Sequence, residues 1–96
     1  MRHYKLSSKA EVDVTEIYKY GINKFGISIA KSYLSGLHKL SNKLKFHKEI
    51  WRPSFHIING LYKYNHKSHV IFFTDEEDHI FIIRILQKSM DFERHL

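Results

Sequence analysis

The sequence contains no cysteine, a single proline and four glycines among its 96 residues. Without cysteine, neither a disulfide nor a thiolate metal site can form, which is typical of a protein in a reducing compartment. No apolar run reaches the roughly 18 residues of a membrane span, since Ile80–Ile83 is followed at once by Arg84. The first 12 residues also lack the apolar run of a signal peptide. We therefore expect a cytoplasmic protein without a membrane segment.

The composition is that of a folded chain. Hydrophobic residues make up 43% and aromatic residues 15% of the sequence, whereas disordered chains combine low hydrophobicity with high charge. The length is sufficient for one domain, which we assign to residues 1–96. The formal net charge of +6 favours an anionic partner, either a nucleic acid or an acidic protein segment, and charge alone does not choose between them.

Two amphipathic helices are predicted in the first half of the chain. A short alternating strand, Tyr4–Leu6, precedes them. Ser8 and Glu11 have the spacing of a capping box, in which each side chain accepts a backbone N–H at the start of a helix. From Ala10, apolar residues recur every three or four positions up to Gly26, a typical helix end. A second helix, expected to fold back on the first as an antiparallel hairpin, has its apolar positions at Ile27, Ala30, Leu34, Leu37, Leu40 and Leu44.

The second half of the chain predicts strands joined by tight turns. Pro53 ends any helix that continues from Leu44, because proline has no backbone N–H to donate. Asn59 and Gly60 then form a two-residue hairpin signal, since both residues tolerate a positive φ. The predicted strands are Phe55–Ile58, Leu61–Tyr64, Val70–Phe73 and Ile80–Leu86. The fold class is therefore α+β, with an N-terminal strand, an antiparallel helical hairpin packed on a small antiparallel sheet, and a short C-terminal tail.

The last third of the sequence resembles a known family. The elements that carry the resemblance are an acidic turn at 75–78 together with Gly60-Leu61, Tyr64, His69–Phe73, Arg84-Ile85-Leu86, Met90-Asp91 and Arg94-His95-Leu96. In this register they resemble the ParE toxins of bacterial toxin–antitoxin pairs, which belong to the RelE/ParE superfamily. Three positions depart from the family pattern, namely Trp51, Tyr62 and Gln87.

The resemblance implies a function that composition does not reveal. It implies the toxin of a type II toxin–antitoxin system, a non-enzymatic protein that inhibits DNA gyrase and thereby replication. A cognate ParD-like antitoxin would neutralise it by wrapping an acidic segment around it. No cofactor and no catalytic residue are implied, and no sequence-specific contact with nucleic acid is expected. The implied target-binding residues are Arg84, Met90, Asp91, Arg94 and His95.

Two other functions stay open. A RelE-like, ribosome-dependent messenger RNA endoribonuclease needs cations at the phosphate and a base near the ribose 2′-hydroxyl. Five residues are candidates for a basic face on the open side of the sheet, but no base is paired with them, and lysines at a strand edge are commonly there for solubility. A toxin-derived module that only binds its antitoxin is the third class. The five candidates are Arg52, Tyr62, Lys63, Lys67 and Arg84.

Structural interpretations compete with several of these sites. Arg84 and Asp91 could form an ion pair that pins the tail to the last strand. The stripe of Leu37, Leu40 and Leu44 could receive the antitoxin, or face only its own sheet. No metal site is predicted, because His66 and His69 have no third ligand fixed by spacing. The acidic run Asp75–Asp78 lacks the spacing of a calcium loop and is expected to be a solvated turn.

Overall fold

The computed structural model of the protein describes residues 3–96. A helical hairpin is followed by most of a five-stranded sheet and by a short helix at the C-terminus. The strands and helices are β1 Tyr4–Leu6, α1 Ser8–Phe25, α2 Ile27–Leu44, a 3₁₀ helix at Lys48–Ile50, β2 Arg52–Pro53, β3 Leu61–His66, β4 His69–Asp75, β5 Ile80–Gln87 and α3 Phe92–His95. Within residues 3–96, no helix is both long and apolar enough to cross a membrane.

The predicted helical hairpin is confirmed, with a different N-cap. The cap of α1 is Ser7, one residue before the predicted Ser8, and its hydroxyl accepts the N–H of Ala10 at 3.0 Å. Gly26 ends α1 with φ of +89° and ψ of 164°, and its N–H donates to Ile22. This conformation lets α2 begin at once and return along α1. It is open to glycine and strained for other residues, which explains the glycine at this position.

The sheet has the order β1-β5-β4-β3-β2. β2 to β5 pair antiparallel, as predicted, whereas β1 lies parallel to β5 with Tyr4 opposite Ile80. The α+β fold class is confirmed, and the sheet is mixed at one edge. A bulge interrupts β5. Phe72 lies opposite Arg84 but Phe73 lies opposite Ile82, so Ile83 has no paired residue on β4.

The predicted strand at Phe55–Ile58 is wrong. β3 pairs instead with the two residues of β2, since Arg52 lies opposite Lys63. The segment between them is a compact loop in which Ser54 donates its N–H to Leu61 and accepts the N–H of Ile57. These bonds close the loop on itself. Proline is tolerated in β2 because this strand lies at the edge of the sheet, where a missing N–H breaks no ladder.

Apolar side chains cover both faces of the sheet. On one face the helices bury a core made of Ala10, Leu37, Leu44, Ile71, Phe73, Ile80, Ile82 and Ile85. The other face carries a smaller cluster, which we call the second cluster, made of Leu61, Val70, Phe72 and Leu86. Phe92 and Leu96 pack against the second cluster, as do Ile57 and Ile83. The tail therefore covers the face of the sheet that the helices leave open.

Candidate functional site

The tail, residues 88–96, turns back over the sheet after β5. The N–H of Lys88 donates to Ser68 at 3.1 Å, and that of Met90 donates to Gln87 at 3.0 Å. The ring of Phe92 then lies 4.9 Å from that of Phe72 in an edge-on arrangement. This contact places α3 on the second cluster, so the tail has a defined position.

Arg84 is bound to Asp13 of α1. Its Nε and Nη2 donate to the two carboxylate oxygens of Asp13 at 2.8 and 2.9 Å. The predicted pair with Asp91 is therefore wrong. The third nitrogen, Nη1, donates to the backbone carbonyl of His95 at 2.8 Å. Hydrogen bonding to Asp13 raises the pKa of Arg84, so the guanidinium stays charged.

Asp13 also completes the edge of the sheet. β1 ends at Leu6, so the second half of β5 has β4 on one side but no neighbouring strand on the other. There Ser7 donates its hydroxyl to the carbonyl of Ile83, and Asp13 accepts the N–H of Ile85 at 2.9 Å. Side-chain groups thus replace the missing ladder.

Asp13 is the site residue that the sequence analysis missed. A signal was present, because Asp13 falls on the same helical stripe as Ala10, Val14 and Ile17. A carboxylate on a stripe that packs against the sheet needs a cation or several donors. Only 11% of its side chain is exposed.

The other tail residues predicted to bind a target lie at the surface. Met90, Asp91, Arg94 and His95 are all exposed. Asp91 precedes α3 and accepts the N–H of Arg94 through its backbone carbonyl. These four exposed side chains are apolar and charged, whereas the side chain of Arg84 is only 16% exposed.

The leucines predicted to bind the antitoxin face the sheet. Leu37 and Leu44 are buried in the core under α2, and Leu40 packs partly against it. The first two offer a partner no accessible side chain in this fold, because the apolar stripe of α2 is used by its own sheet. Four exposed apolar residues of the hairpin lie elsewhere, around its Gly26 joint, at Tyr20, Phe25, Ile27 and Ile29.

The five residues considered for a basic face are not brought together. Arg52 and Lys63 are opposite residues on β2 and β3 and so share one face. Tyr62 points to the other face, where it packs against Trp51 and Phe73. Arg84 is taken by Asp13. The fifth, Lys67, lies in the β3–β4 turn with its ammonium 5.6 Å from the ring centre of Tyr33.

His66 and His69 lie opposite each other at the β3–β4 turn. Burial lowers the pKa of both imidazoles, and the positive charge of Lys67 lowers that of His66 further. Nδ1 of His69 lies 2.6 Å from the hydroxyl of Tyr33. No group of three histidines or carboxylates suited to a metal ion occurs among residues 3–96.

A family comparison covers the helices, the sheet and the first residues of the tail. The sequence model of the family described as the ParE toxin of the type II toxin–antitoxin system parDE matches residues 4–92. The chain belongs to the ParE toxin family. It is therefore a ParE-type toxin of a type II toxin–antitoxin system, as the resemblance of its last third predicted. The match ends before Arg94 and His95, so the end of the tail lies outside it.

Similar proteins are ParE toxins along their whole length. Toxin ParE1 of Caulobacter vibrioides is 28% identical over 96 residues, covering 100% of this chain and 99% of that protein. Toxin ParE1 of Mycobacterium tuberculosis is 29% identical over 94 residues, covering 97% and 96%. A solved structure described as a chromosomal ParDE toxin–antitoxin system from P. aeruginosa has a TM-score of 0.75 at 21% identity, covering 91% of this chain and 96% of that chain. It shares the fold.

Proposed function

We propose that this ParE-type toxin acts in the cytoplasm by binding and inhibiting DNA gyrase, without catalysing a reaction itself. Membership of the family supports the proposal. So does the scatter of the cations that an RNA-cleaving site would need: Lys63 and Lys67 lie apart, and Arg84 is occupied by Asp13. A binding mechanism requires only an accessible surface of suitable chemistry.

The exposed surface of the tail carries the proposal. It offers four exposed side chains of different chemistry within residues 90–95: the thioether of Met90, the carboxylate of Asp91, the guanidinium of Arg94 and the imidazole of His95. None of these four side chains is committed to the core, so a partner can bind them without unfolding the protein. Arginine is frequent among the residues that dominate protein interfaces, because its planar group makes several directed hydrogen bonds.

A supercoiling assay with purified gyrase tests the proposal. We expect the parent protein to inhibit supercoiling near stoichiometric amounts, and an Arg94→Ala, His95→Ala double variant to inhibit poorly. Arg52→Ala is the matched control, because Arg52 is also an exposed arginine but lies on β2, at the far edge of the sheet from β1. No inhibition by the parent protein at excess would contradict the proposal.

The same protein distinguishes the other two functions. Codon-localised cleavage of messenger RNA in a translation extract, lost in Lys63→Ala, would identify a RelE-like endoribonuclease. Normal growth of cells that express the toxin without an antitoxin would identify an inactive antitoxin-binding module. Either result would replace gyrase inhibition as the function.

We further propose that a ParD-like antitoxin neutralises the toxin on the exposed end of the helical hairpin. Four apolar side chains there, each more than half exposed, are Tyr20, Phe25, Ile27 and Ile29. The ammonium of Lys24 lies within 6.0 Å of the ring centres of both Tyr20 and Phe25. An acidic, amphipathic segment fits such a surface, because apolar burial gives affinity and the net charge of +6 steers the partner. Leu40, the partly buried leucine of the predicted set, lies near the other end of α2 and is not part of this surface.

Binding to the product of an adjacent antitoxin reading frame tests this surface. Ile29→Asp should weaken binding by at least about tenfold, since it replaces apolar contact with a like-charged group. Val12→Asp is the control, because Val12 is 60% exposed but lies near the start of α1, away from the hairpin end. Equal effects of both variants would exclude the hairpin end as the specific site.

A further inference from the structure

α3 depends on the rest of the protein for its conformation. It spans four residues, Phe92–His95, whereas isolated helices shorter than about 12 residues are marginal in water. Tertiary contacts must therefore supply its stability. Phe92 and Leu96 provide apolar contacts on the second cluster. A side-chain hydrogen bond also reaches α3, from Nη1 of Arg84 to the backbone carbonyl of His95.

The Arg84 contact is suited to the end of a helix. The last carbonyls of a helix have no partner within it and carry partial negative charge, so a cation that donates to one of them is stabilising. Arg84 can serve this carbonyl and Asp13 together because a guanidinium has five N–H donors in a rigid plane. One side chain thus connects α1, β5 and α3.

We propose that Arg84 is a positioning residue, which fixes the tail through Asp13 and the carbonyl of His95, and does not itself contact the target. The assignment differs from that implied by the family resemblance, which placed Arg84 among the target-binding residues. The proposal that Arg84 holds the tail in place does not depend on what the toxin binds. The expected loss of gyrase inhibition when Arg84 is changed rests on the proposed function of the exposed tail.

The burial of Arg84 supports this division of roles. Its side chain is 16% exposed, and Nε, Nη1 and Nη2 all donate within the protein. These bonds use three of the five N–H donors of the guanidinium, and a target that took one of those three would have to break a charged hydrogen bond first. Arg94 has no such internal ion pair among residues 3–96 and is exposed, so the two arginines of this region have different tasks.

Hydrogen exchange at the tail amides tests the proposal. The N–H groups of Arg94 and Leu96 donate to Asp91 and Phe92, so they report whether α3 is formed. We expect Arg84→Ala to accelerate their exchange by about tenfold or more. Arg84→Lys keeps a cation for Asp13 but has no second arm for the carbonyl of His95, so it should also accelerate exchange while the fold is retained. The amide of Ile71, in the centre of the sheet, should not change in the lysine variant.

Arg94→Ala is the contrasting variant. It should leave the exchange of the Leu96 amide unchanged and still reduce gyrase inhibition. If Arg84→Lys left tail exchange unchanged yet abolished inhibition, Arg84 would be a target contact and the proposal would be wrong. If tail exchange increased as expected but the parent protein did not inhibit gyrase, the positioning role would stand and the proposed function would fail.

Discussion

Tyr33 of α2 is hydrogen-bonded to His69 of β4, with the tyrosine oxygen 2.6 Å from Nδ1 of the imidazole. His66 lies opposite His69, and its ring centre is 5.8 Å from that of Tyr33. Nε2 of His66 is buried and has no hydrogen-bond partner within residues 3–96. Two imidazoles therefore share one largely buried corner between the hairpin and the β3–β4 turn.

Acid should destabilise the protein through this corner. Burial lowers the pKa of His66 and His69 below the ordinary 6.5. The charge of Lys67 lowers the pKa of His66 further, and a charge on His66 lowers that of His69, while Asp13 partly opposes the shift at His69. The unfolded chain then binds protons before the folded one does. The stabilisation is thus complete above pH 6.5 and is lost as the pH falls from there through the lowered pKa values.

Urea unfolding between pH 8 and pH 5 measures this effect. The urea midpoint of the parent protein should fall as the pH is lowered through the acid half of the range. In a His66→Gln, His69→Gln double variant the midpoint should change less with pH. The midpoint of a His56→Gln variant, changed in the exposed loop before β3, should depend on pH as that of the parent protein does. If the midpoints of all three proteins changed equally with pH, groups other than His66 and His69 would control the response to acid.

The ion pairs of Asp13 and Asp75 should differ in how much they stabilise the protein. Asp13, 11% exposed, receives two bonds from Arg84 and one from Ile85, and removing one partner of a buried pair leaves the other charge uncompensated. We expect Asp13→Ala to cost about 3 kcal/mol. Asp75 binds Lys45 at 2.9 Å but is 31% exposed, so Asp75→Ala should cost less than about 1 kcal/mol. Urea denaturation of both variants measures the difference, and equal losses would contradict it.

Much of the fold follows from local sequence pattern. The three- and four-residue spacing of apolar residues predicts both helices, and Gly26 predicts their joint because few other residues adopt its conformation. The runs Val70–Phe73 and Ile80–Leu86 are apolar enough to be buried strands. Each of these signals depends on residues that are close in sequence, so no knowledge of the tertiary structure is needed.

The errors arise where distant residues decide the outcome. Phe55–Ile58 has the composition of a strand, but Arg52 occupies the edge of β3 instead. Asp91 is the nearer carboxylate to Arg84 in the sequence, yet Asp13 binds it from 71 positions away. On a helical wheel Leu37 belongs to an apolar stripe that a partner could bind, but in the folded protein the sheet covers it. Pairing of this kind is set by the packing of α1 and α2 on the sheet.

Two helical glycines should respond differently to alanine. A Cβ at Gly36 would have His66 Nε2 as its nearest neighbour, at an ordinary 3.9 Å. Gly36→Ala should therefore stabilise the protein by about 0.5–1 kcal/mol, because glycine loses more backbone entropy in a helix. A Cβ at Gly21 would lie 3.2 Å from that of Ala30, where α1 and α2 approach closely.

Gly21→Ala should lower the urea midpoint, since the helices would have to separate to relieve this contact. Gly36→Ala is its matched control, with the same chemical change in a neighbouring helix. A rise in midpoint for both variants would show that the hairpin adjusts without loss.

Gly26 should be intolerant of any L-residue. A Cβ there would meet nothing within 4 Å, but φ of +89° is strained for an L side chain. Gly26→Ala should cost about 1–3 kcal/mol through the backbone alone. Trp51, the single tryptophan, packs on Phe73 and provides a fluorescence signal for urea unfolding. A synthetic chain with D-alanine at position 26 is the matched control, because its mirror-image preference allows positive φ. If the L- and D-alanine proteins unfolded at the same urea concentration, backbone strain would not be the cause of the loss.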